Sequence, residues 1–200
     1  MNILPGNMRF GAGQPVRRLE DQRLLTGKGQ FIDDKPEEGA LWLYVQRSPH
    51  AHARIKSIDT KAALEMVGVE AVYTGADLVK DDIGTLPTLA VFKRPDGKPM
   101  TVPPRRLLAH EVVRYAGEEV AAVVATSRVL AQTAAEAIEI DYEMLPSVVD
   151  PVEAVKSGAP AVWPEAPDNV VAAMSYGDAA KVEEAFASAA HTVSLDLVSQ

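Results

Sequence analysis

The 200-residue sequence contains no cysteine. This absence excludes disulfides, thiolate nucleophiles and cysteine-based zinc sites, and it removes the usual ligands of iron–sulfur clusters. We therefore expect any redox cluster associated with this protein to lie on another domain or another chain.

Long apolar runs and an excess of basic charge are also missing. No stretch is long enough to cross a bilayer, and the first residues lack the charged start, apolar core and cleavage site of a secretory signal. The sequence has 28 acidic and 20 basic residues, and its net charge of −8 opposes binding to nucleic acid or to an anionic membrane surface. We expect a cytoplasmic protein with no nucleic-acid partner and no membrane span.

Motifs of the common catalytic classes are absent. The sequence has no Gly-x-Ser-x-Gly elbow, no His-Glu-x-x-His helix and no calcium-binding loop. The glycines Gly27 and Gly29 flank a lysine, but neither the Walker pattern nor Gly-x-Gly-x-x-Gly is completed. We assign no residue a catalytic, cofactor-binding or metal-binding role.

Two pairs of carboxylates and one pair of histidines are the remaining candidates for chemistry. Adjacent residues of a strand point in opposite directions, so Asp33-Asp34 and Glu118-Glu119 are interpreted as turns or solvated edges rather than acid–base pairs. His50 and His52 would share one face of a strand, which is a weak metal signal without further ligands. A hydrogen-bonded or surface role is favoured for both histidines.

The apolar patterning predicts an α+β domain with mixed short strands. The predicted strands are Leu41–Gln46, Ala53–Ile58, Val69–Tyr73, Val112–Tyr115, Val120–Thr126, Glu139–Tyr142 and Ser147–Val149. Helices are predicted from a Thr60 N-cap to Met66, over Arg128–Ile138 after a Ser127 N-cap, and from Pro151 to Gly158. Residues 83–104 contain five prolines and are predicted to form a long loop that serves an interface or a site.

Composition also predicts how the chain divides. Residues 1–17 are predicted to form an extended N-terminal arm, residues 18–157 the first domain and residues 158–169 a semi-rigid, Pro-rich linker. Residues 170–200 then predict a strand (Val170–Tyr176), a helix (Asp178–Ser188) and a strand (Thr192–Val198). Such a unit is too small for its own core, so it must pack on the first domain or complete a structure supplied elsewhere.

Ordered sequence blocks along nearly the whole chain resemble the large subunit of the molybdenum hydroxylases, the family of xanthine dehydrogenase, aldehyde oxidase and aerobic carbon monoxide dehydrogenase. The blocks are Arg18–Asp34, Arg47–Ile55, Gly68–Asp77, Val113–Ala125, Ile140–Asp150 and Asp168–Val170. The resemblance implies that residues 18–157 are an α/β-hammerhead domain and that residues 170–200 start a truncated molybdopterin-binding domain. Glu119 departs from the pattern, because the family often has proline there.

The resemblance further implies an oxidoreductase that acts on aldehydes, N-heterocycles or carbon monoxide. In that family the reactive site lies beyond the counterpart of Gln200, so this chain would be a component or fragment that acts as scaffold and subunit interface and is not catalytic alone. Its partners would be the remaining molybdopterin-binding polypeptide, an iron–sulfur subunit and a flavin subunit. The complete complex would hold the molybdopterin (molybdenum) cofactor, 2Fe-2S clusters and FAD, with none bound by this chain alone.

The charged segment after the arm supplies the candidate contact residues. We expect Arg18, Glu20, Asp21, Arg23 and Gly27 to lie at a subunit interface, although the same residues suit an internal turn equally well. The alternative function is a stand-alone hammerhead-type binding module with no redox partner. A small independent enzyme is disfavoured, because no convergent nucleophile, base and donor set is visible.

Overall fold

The computed structural model describes residues 18–35, 37–89 and 91–197. The predicted N-terminal arm, residues 1–17, lies outside these ranges. The chain divides into two units between Ala40 and Leu41.

The first unit contains helix α1 (Asp21–Leu25) and a short 3-10 helix (Ile32–Asp34). Gly27 ends α1 with a positive φ of 69°, and the next amide, that of Lys28, donates a hydrogen bond of 2.8 Å to the Arg23 carbonyl. None of the described residues of this unit is buried.

The second unit contains six strands and five helices in its described part. The strands are β1 (Trp42–Arg47), β2 (Ala53–Asp59), β3 (Val69–Thr74), β4 (Val112–Val113), β5 (Glu119–Ala125) and β6 (Glu139–Met144). The helices are α2 (Lys61–Leu64), α3 (Gly75–Lys80), α4 (Arg128–Glu136), α5 (Pro151–Ala154) and α6 (Ala179–Ser188).

The strands form two three-stranded antiparallel sheets, ordered β1-β5-β3 and β4-β2-β6. One buried cluster joins Ala121 and Val123 of β5 to Ala134 and Ala135 of α4. These side chains are small, so α4 lies close to the sheet. A second buried cluster surrounds Val120 at the start of β5.

Local hydrogen bonds explain where the helices begin. The Ser127 hydroxyl accepts from the Leu130 amide at 3.2 Å, which confirms Ser127 as the N-cap of α4. The Thr60 prediction was wrong in its chemistry: Thr60 makes no capping bond, and the neighbouring Asp59 carboxylate accepts from the Lys61 amide at 2.9 Å. The longer, charged acceptor of Asp59 reaches the free amide instead.

Three predicted strands do not form. Ser147–Val149 and Val170–Tyr176 are outside any ladder, and so are the described residues 192–197 of the last predicted strand. Apolar side chains favour a strand, but a strand also needs the backbone of a neighbouring strand for its hydrogen bonds, and these segments pair with none of the described strands. The helix between the last two is confirmed, with Asp178 accepting from the Lys181 amide at 3.2 Å.

Residues 158–169, predicted as a semi-rigid linker, are held together and tied to α5 by Asn169. The Asn169 side chain accepts from the Val162 amide at 2.9 Å and donates to the carbonyls of Ala154 and Pro160 at 2.9 and 3.0 Å. Its own φ is +58°, a conformation that asparagine tolerates better than most residues. Ala166 within the segment is 2% exposed, so this stretch packs as part of the fold.

The described ranges contain no helix that is long and apolar enough to cross a membrane.

We predict that Gly75→Ala destabilises the fold. A Cβ at Gly75 would overlap the backbone of Ala109, whose carbonyl carbon would lie 2.7 Å away, and backbone atoms cannot yield as a side chain can. We expect a loss of about 1–3 kcal/mol in the free energy of unfolding, measured by urea denaturation. Gly84→Ala is the matched control, because a Cβ there meets no atom within 4 Å. Equal stability of the two variants would contradict the close approach.

We also predict that Asn169→Ala loosens residues 158–169. The change removes three hydrogen bonds and places alanine at a positive φ, so we expect a loss of about 2–3 kcal/mol in the free energy of unfolding. Asn169→Gly keeps the backbone conformation and should cost about 1 kcal/mol less than alanine. Two variants that both unfold like the wild type would show that this side chain does not anchor the segment.

Candidate functional site

A groove lies between the turn that follows β4 and residues 163–165. Its volume is about 370 Å³, and Arg106, Glu118 and Trp163 also line a second cavity of about 480 Å³. The groove is lined by Pro104, Arg106, Ala109, His110, Glu111, Val112, Arg114, Glu118, Trp163, Pro164 and Glu165.

The turn that shapes this groove is held by its backbone. Gly117 has a φ of +94°, which a glycine adopts without strain, and its amide donates to the Ser48 carbonyl at 2.7 Å. The Ser48 amide in turn donates to the Glu118 carbonyl at 2.9 Å, and Ser48 is 3% exposed. The Glu118 carboxylate accepts from the Arg114 amide and closes the turn.

Arg114 and Trp163 form the polar contact across the groove. The Arg114 guanidinium carbon lies 3.8 Å from the centre of the Trp163 ring, which is a cation–π contact, and Nη1 donates to the Val112 carbonyl at 3.0 Å. Burial lowers the pKa of Arg114, and the nearby carboxylates of Glu118, Glu165 and Glu111 oppose that effect. The guanidinium stays charged, because an arginine pKa starts far above neutral pH.

The two adjacent glutamates have different environments. Burial raises the pKa of Glu118. The hydrogen bond from the Arg114 amide and the positive charge of the Arg114 side chain act to lower that pKa. Burial also acts to raise the pKa of Glu119, but hydrogen bonds from the backbone, from Arg47 at 2.6 Å and from Tyr115 at 3.2 Å lower it overall. Of the two interpretations that the sequence allowed for this pair, the structure shows the turn: Glu118 closes the turn after β4 and is half-buried in the groove, and Glu119 begins β5.

The groove can bind a polar group, but its described residues do not form a catalytic set. It offers two arginines, one histidine and three carboxylates, and no serine, threonine or lysine nucleophile lines it. Sequence reasoning missed it because Trp163 reaches Arg114 from a Pro-rich stretch that has no periodicity. A lone tryptophan among prolines was the one available signal.

The other residues considered for chemistry have structural partners. The His52 Nδ1 atom lies 2.6 Å from the Pro146 carbonyl oxygen, and the His50 ring packs edge-on against Tyr142 at 4.8 Å. Asp34 accepts from the Phe31 amide at 2.9 Å and caps the 3-10 helix. Among the described residues, no group of three or more His, Asp or Glu side chains could hold a metal ion.

The predicted interface residues lie together in the first unit. Arg18 and Glu20 precede α1, Asp21 and Arg23 lie within it, and Gly27 ends it. All but Asp21 are exposed. Gly27 has the internal turn role that the sequence allowed, because it follows α1 with a positive φ.

Large exposed apolar side chains accompany this charged segment. Leu19 is 95% exposed, Leu25 86% and Ile32 91%. At the other end of the described chain, α6 exposes Val182 and Phe186. Scattered exposed apolar residues are ordinary on protein surfaces, but such groupings are typical of interaction surfaces.

Comparison with known proteins identifies relatives along most of the chain. The nicotine 6-hydroxylase large subunit of Paenarthrobacter nicotinovorans is 43% identical over 184 residues, which are 91% of this chain and 21% of that subunit. The carbon monoxide dehydrogenase large chain of Hydrogenophaga pseudoflava is 37% identical, covering 88% of this chain and 22% of that one. The chain thus spans about a fifth of the length of these relatives.

Solved structures agree with this fold. The Cu,Mo-containing carbon monoxide dehydrogenase in its carbon monoxide-reduced state matches with a TM-score of 0.72 and 37% identity, over 90% of this chain and 23% of that one. Quinoline 2-oxidoreductase from Pseudomonas putida 86 matches with a TM-score of 0.65 and 40% identity, over 74% of this chain and 18% of that one.

The model of one protein family, described as the aldehyde oxidase and xanthine dehydrogenase a/b hammerhead domain, matches residues 26–146. These residues include both antiparallel sheets and α4, so the predicted α+β hammerhead fold is confirmed. The chain belongs to the aldehyde oxidase and xanthine dehydrogenase family, and residues 26–146 match its α/β-hammerhead domain.

Proposed function

We propose that this chain serves as the hammerhead part of a molybdenum hydroxylase large subunit, where it is a scaffold and subunit interface and is not catalytic alone. The observation that carries the proposal is the extent of the match: identity of 37–43% runs along about nine-tenths of this chain but only about a fifth of the relatives. The whole assembly would be an oxidoreductase acting on aldehydes, N-heterocycles or carbon monoxide.

Neither the composition of the chain nor the groove at Arg114 fits the cofactors of such an assembly. An iron–sulfur cluster needs thiolates, and the sequence has no cysteine. The groove at Arg114 brings three carboxylates against two arginines, so it disfavours the phosphates of molybdopterin or FAD. We therefore place the molybdenum cofactor, the 2Fe-2S clusters and the FAD on the proposed partners, which are the remaining molybdopterin-binding polypeptide, the iron–sulfur subunit and the flavin subunit.

The interface proposal centres on Arg18, Glu20, Asp21, Arg23 and Gly27. Charged side chains beside exposed leucines suit a subunit contact, because interfaces combine an apolar centre with a polar rim. We also propose that residues 18–157 are the hammerhead domain, that residues 170–200 begin a molybdopterin-binding domain, and that the assembly is cytoplasmic.

The proposal predicts co-purification. A tagged chain isolated from its native cells should bring with it polypeptides that contain molybdopterin and 2Fe-2S clusters, detected by mass spectrometry and by metal analysis. The purified chain alone should oxidise no aldehyde, purine or carbon monoxide. A chain that runs as a monomer on a sizing column and recovers no such polypeptide would favour the stand-alone binding module, and turnover by the purified chain would contradict the scaffold role.

A charge-reversal variant tests the interface. Arg18→Glu combined with Arg23→Glu should weaken binding to the partner subunits about tenfold or more, because reversed charges meet the residues that the arginines would contact. Lys35→Glu changes an exposed charge of the same unit outside the Arg18–Asp34 block and is the matched control. Affinity measured by biolayer interferometry at fixed ionic strength should fall for the double variant alone. An equal loss in the control would contradict a specific role of the two arginines.

A further inference from the structure

A second cavity lies beside the groove at Arg114 and shares part of its wall. Its volume is about 480 Å³, which is within the range of small-molecule binding sites. Trp163 lines both cavities, whereas Arg114, which contacts the Trp163 ring at 3.8 Å, lines only the groove. The indole therefore forms part of the boundary between the two cavities, and a molecule in the second cavity can contact Trp163 without displacing Arg114.

The charged groups of the second cavity leave an excess of positive charge. Arg105 and Arg106 line it, and neither guanidinium forms an ion pair with a described carboxylate. Two carboxylates also line the cavity, but that of Glu119 is already paired with Arg47 at 2.6 Å. Glu118 alone therefore opposes two arginines, and the cavity favours an occupant with one negative charge.

Two hydrogen bonds to the backbone fix the arginine side of this cavity. The Leu86 amide donates to the Arg105 carbonyl at 2.7 Å, which joins the two ends of the Pro-rich loop. Arg106 Nη1 donates to the Ile83 carbonyl at 3.4 Å. The two arginines are thus held at the base of the loop before any molecule binds, and less conformational entropy is lost on binding.

The remaining wall of the cavity is apolar and aromatic. It consists of the side chains of Leu86, Leu107, Tyr115 and Trp163. The Tyr115 hydroxyl donates to the Glu119 carboxylate at 3.2 Å, so its polar end already has a partner and its ring is the part that an occupant would contact. Flat rings pack favourably against such aromatic side chains. The cavity therefore combines a cationic end with a wall for an apolar ring.

We propose that the second cavity binds a small aromatic monocarboxylate. Its carboxylate pairs with the guanidinium groups of Arg105 and Arg106, and its ring packs against Trp163 and Leu107. Hydrogen bonds between arginine and a carboxylate are charge-assisted and about twice as strong as neutral ones. Inorganic phosphate fits less well, because Glu118 repels a second negative charge and phosphate has no apolar part to cover the leucines. The site does not depend on the proposed function, because this chain alone supplies its walls.

Calorimetric titration of the purified chain with benzoate tests the site. Benzamide has the same shape without the charge, and inorganic phosphate has charge without the ring. We expect benzoate to bind about tenfold or more tightly than either of them at low ionic strength, and added salt to weaken its binding. Equal binding of benzoate and phosphate would show simple attraction of an anion and would overturn the proposal, and so would the absence of benzoate binding.

Three variants locate the binding on the cavity. Arg106→Gln removes one charge and should weaken benzoate binding about tenfold, and Leu107→Glu places a carboxylate in the apolar wall and should abolish it. Arg128→Gln is the matched control, because this exposed arginine begins α4 and lines neither cavity. Thermal unfolding checks that each variant is folded, and if Leu107→Glu is not, Arg106→Gln decides. A folded Arg106→Gln chain that binds benzoate like the parent would overturn the proposal.

Titration of the co-purified assembly separates this inference from the proposed function. Benzoate binding that is sensitive to Arg106→Gln both in the isolated chain and in the assembly supports the site in the complete complex. Binding that is present in the isolated chain and lost in the assembly would show that a partner polypeptide fills the cavity, which would overturn the inference. If no partner co-purifies, the proposed function fails, while the titration of the isolated chain still decides whether the site exists.

Discussion

The close approach of α4 to the central strand β5 is the constraint on which the second unit depends. Strand β5 pairs with β1 on one edge and β3 on the other, so its side chains can only be covered from above or below the sheet. Ala134 and Ala135 cover one face at short range. Ile58 and Ile140, from the other sheet, pack against both buried clusters and so join the two sheets. Larger residues on α4 would separate these layers.

The turn after β4 connects this core to the surface groove. Because Gly117 and Glu118 bond to the backbone of buried Ser48, the turn cannot move independently of β1 and β5. The same turn presents Arg114 to Trp163, so the Pro-rich stretch is held by a cation–π contact at one point and by Asn169 at another. A surface that mixes opposite charges at fixed positions is suited to recognising one partner in one orientation.

Sequence patterns predicted the elements whose partners are local or numerous. The strands that pair with β5, the Ser127 cap and the Asp178 cap were correct, because alternation and capping act over a few residues. The patterns failed where pairing with a distant backbone decides the structure: the short apolar stretch Ser147–Val149 pairs with none of the described strands. The groove was missed for the same reason, since a contact between Arg114 and Trp163 joins two irregular segments and leaves no periodic trace. The turn at Glu118 was among the predicted alternatives, but its partial burial was not, because the residues that cover it are remote in sequence.

The Asn169 side chain also has a thermodynamic consequence for any larger assembly. Three hydrogen bonds and a left-handed backbone fix the direction in which the polypeptide continues after residue 169. A flexible segment at this position would have to become ordered each time a neighbouring domain docks, and this ordering would cost conformational entropy. Here the polypeptide around Asn169 is ordered when the hammerhead folds. A domain that docks on the residues after Asn169 therefore binds a polypeptide whose direction is already fixed.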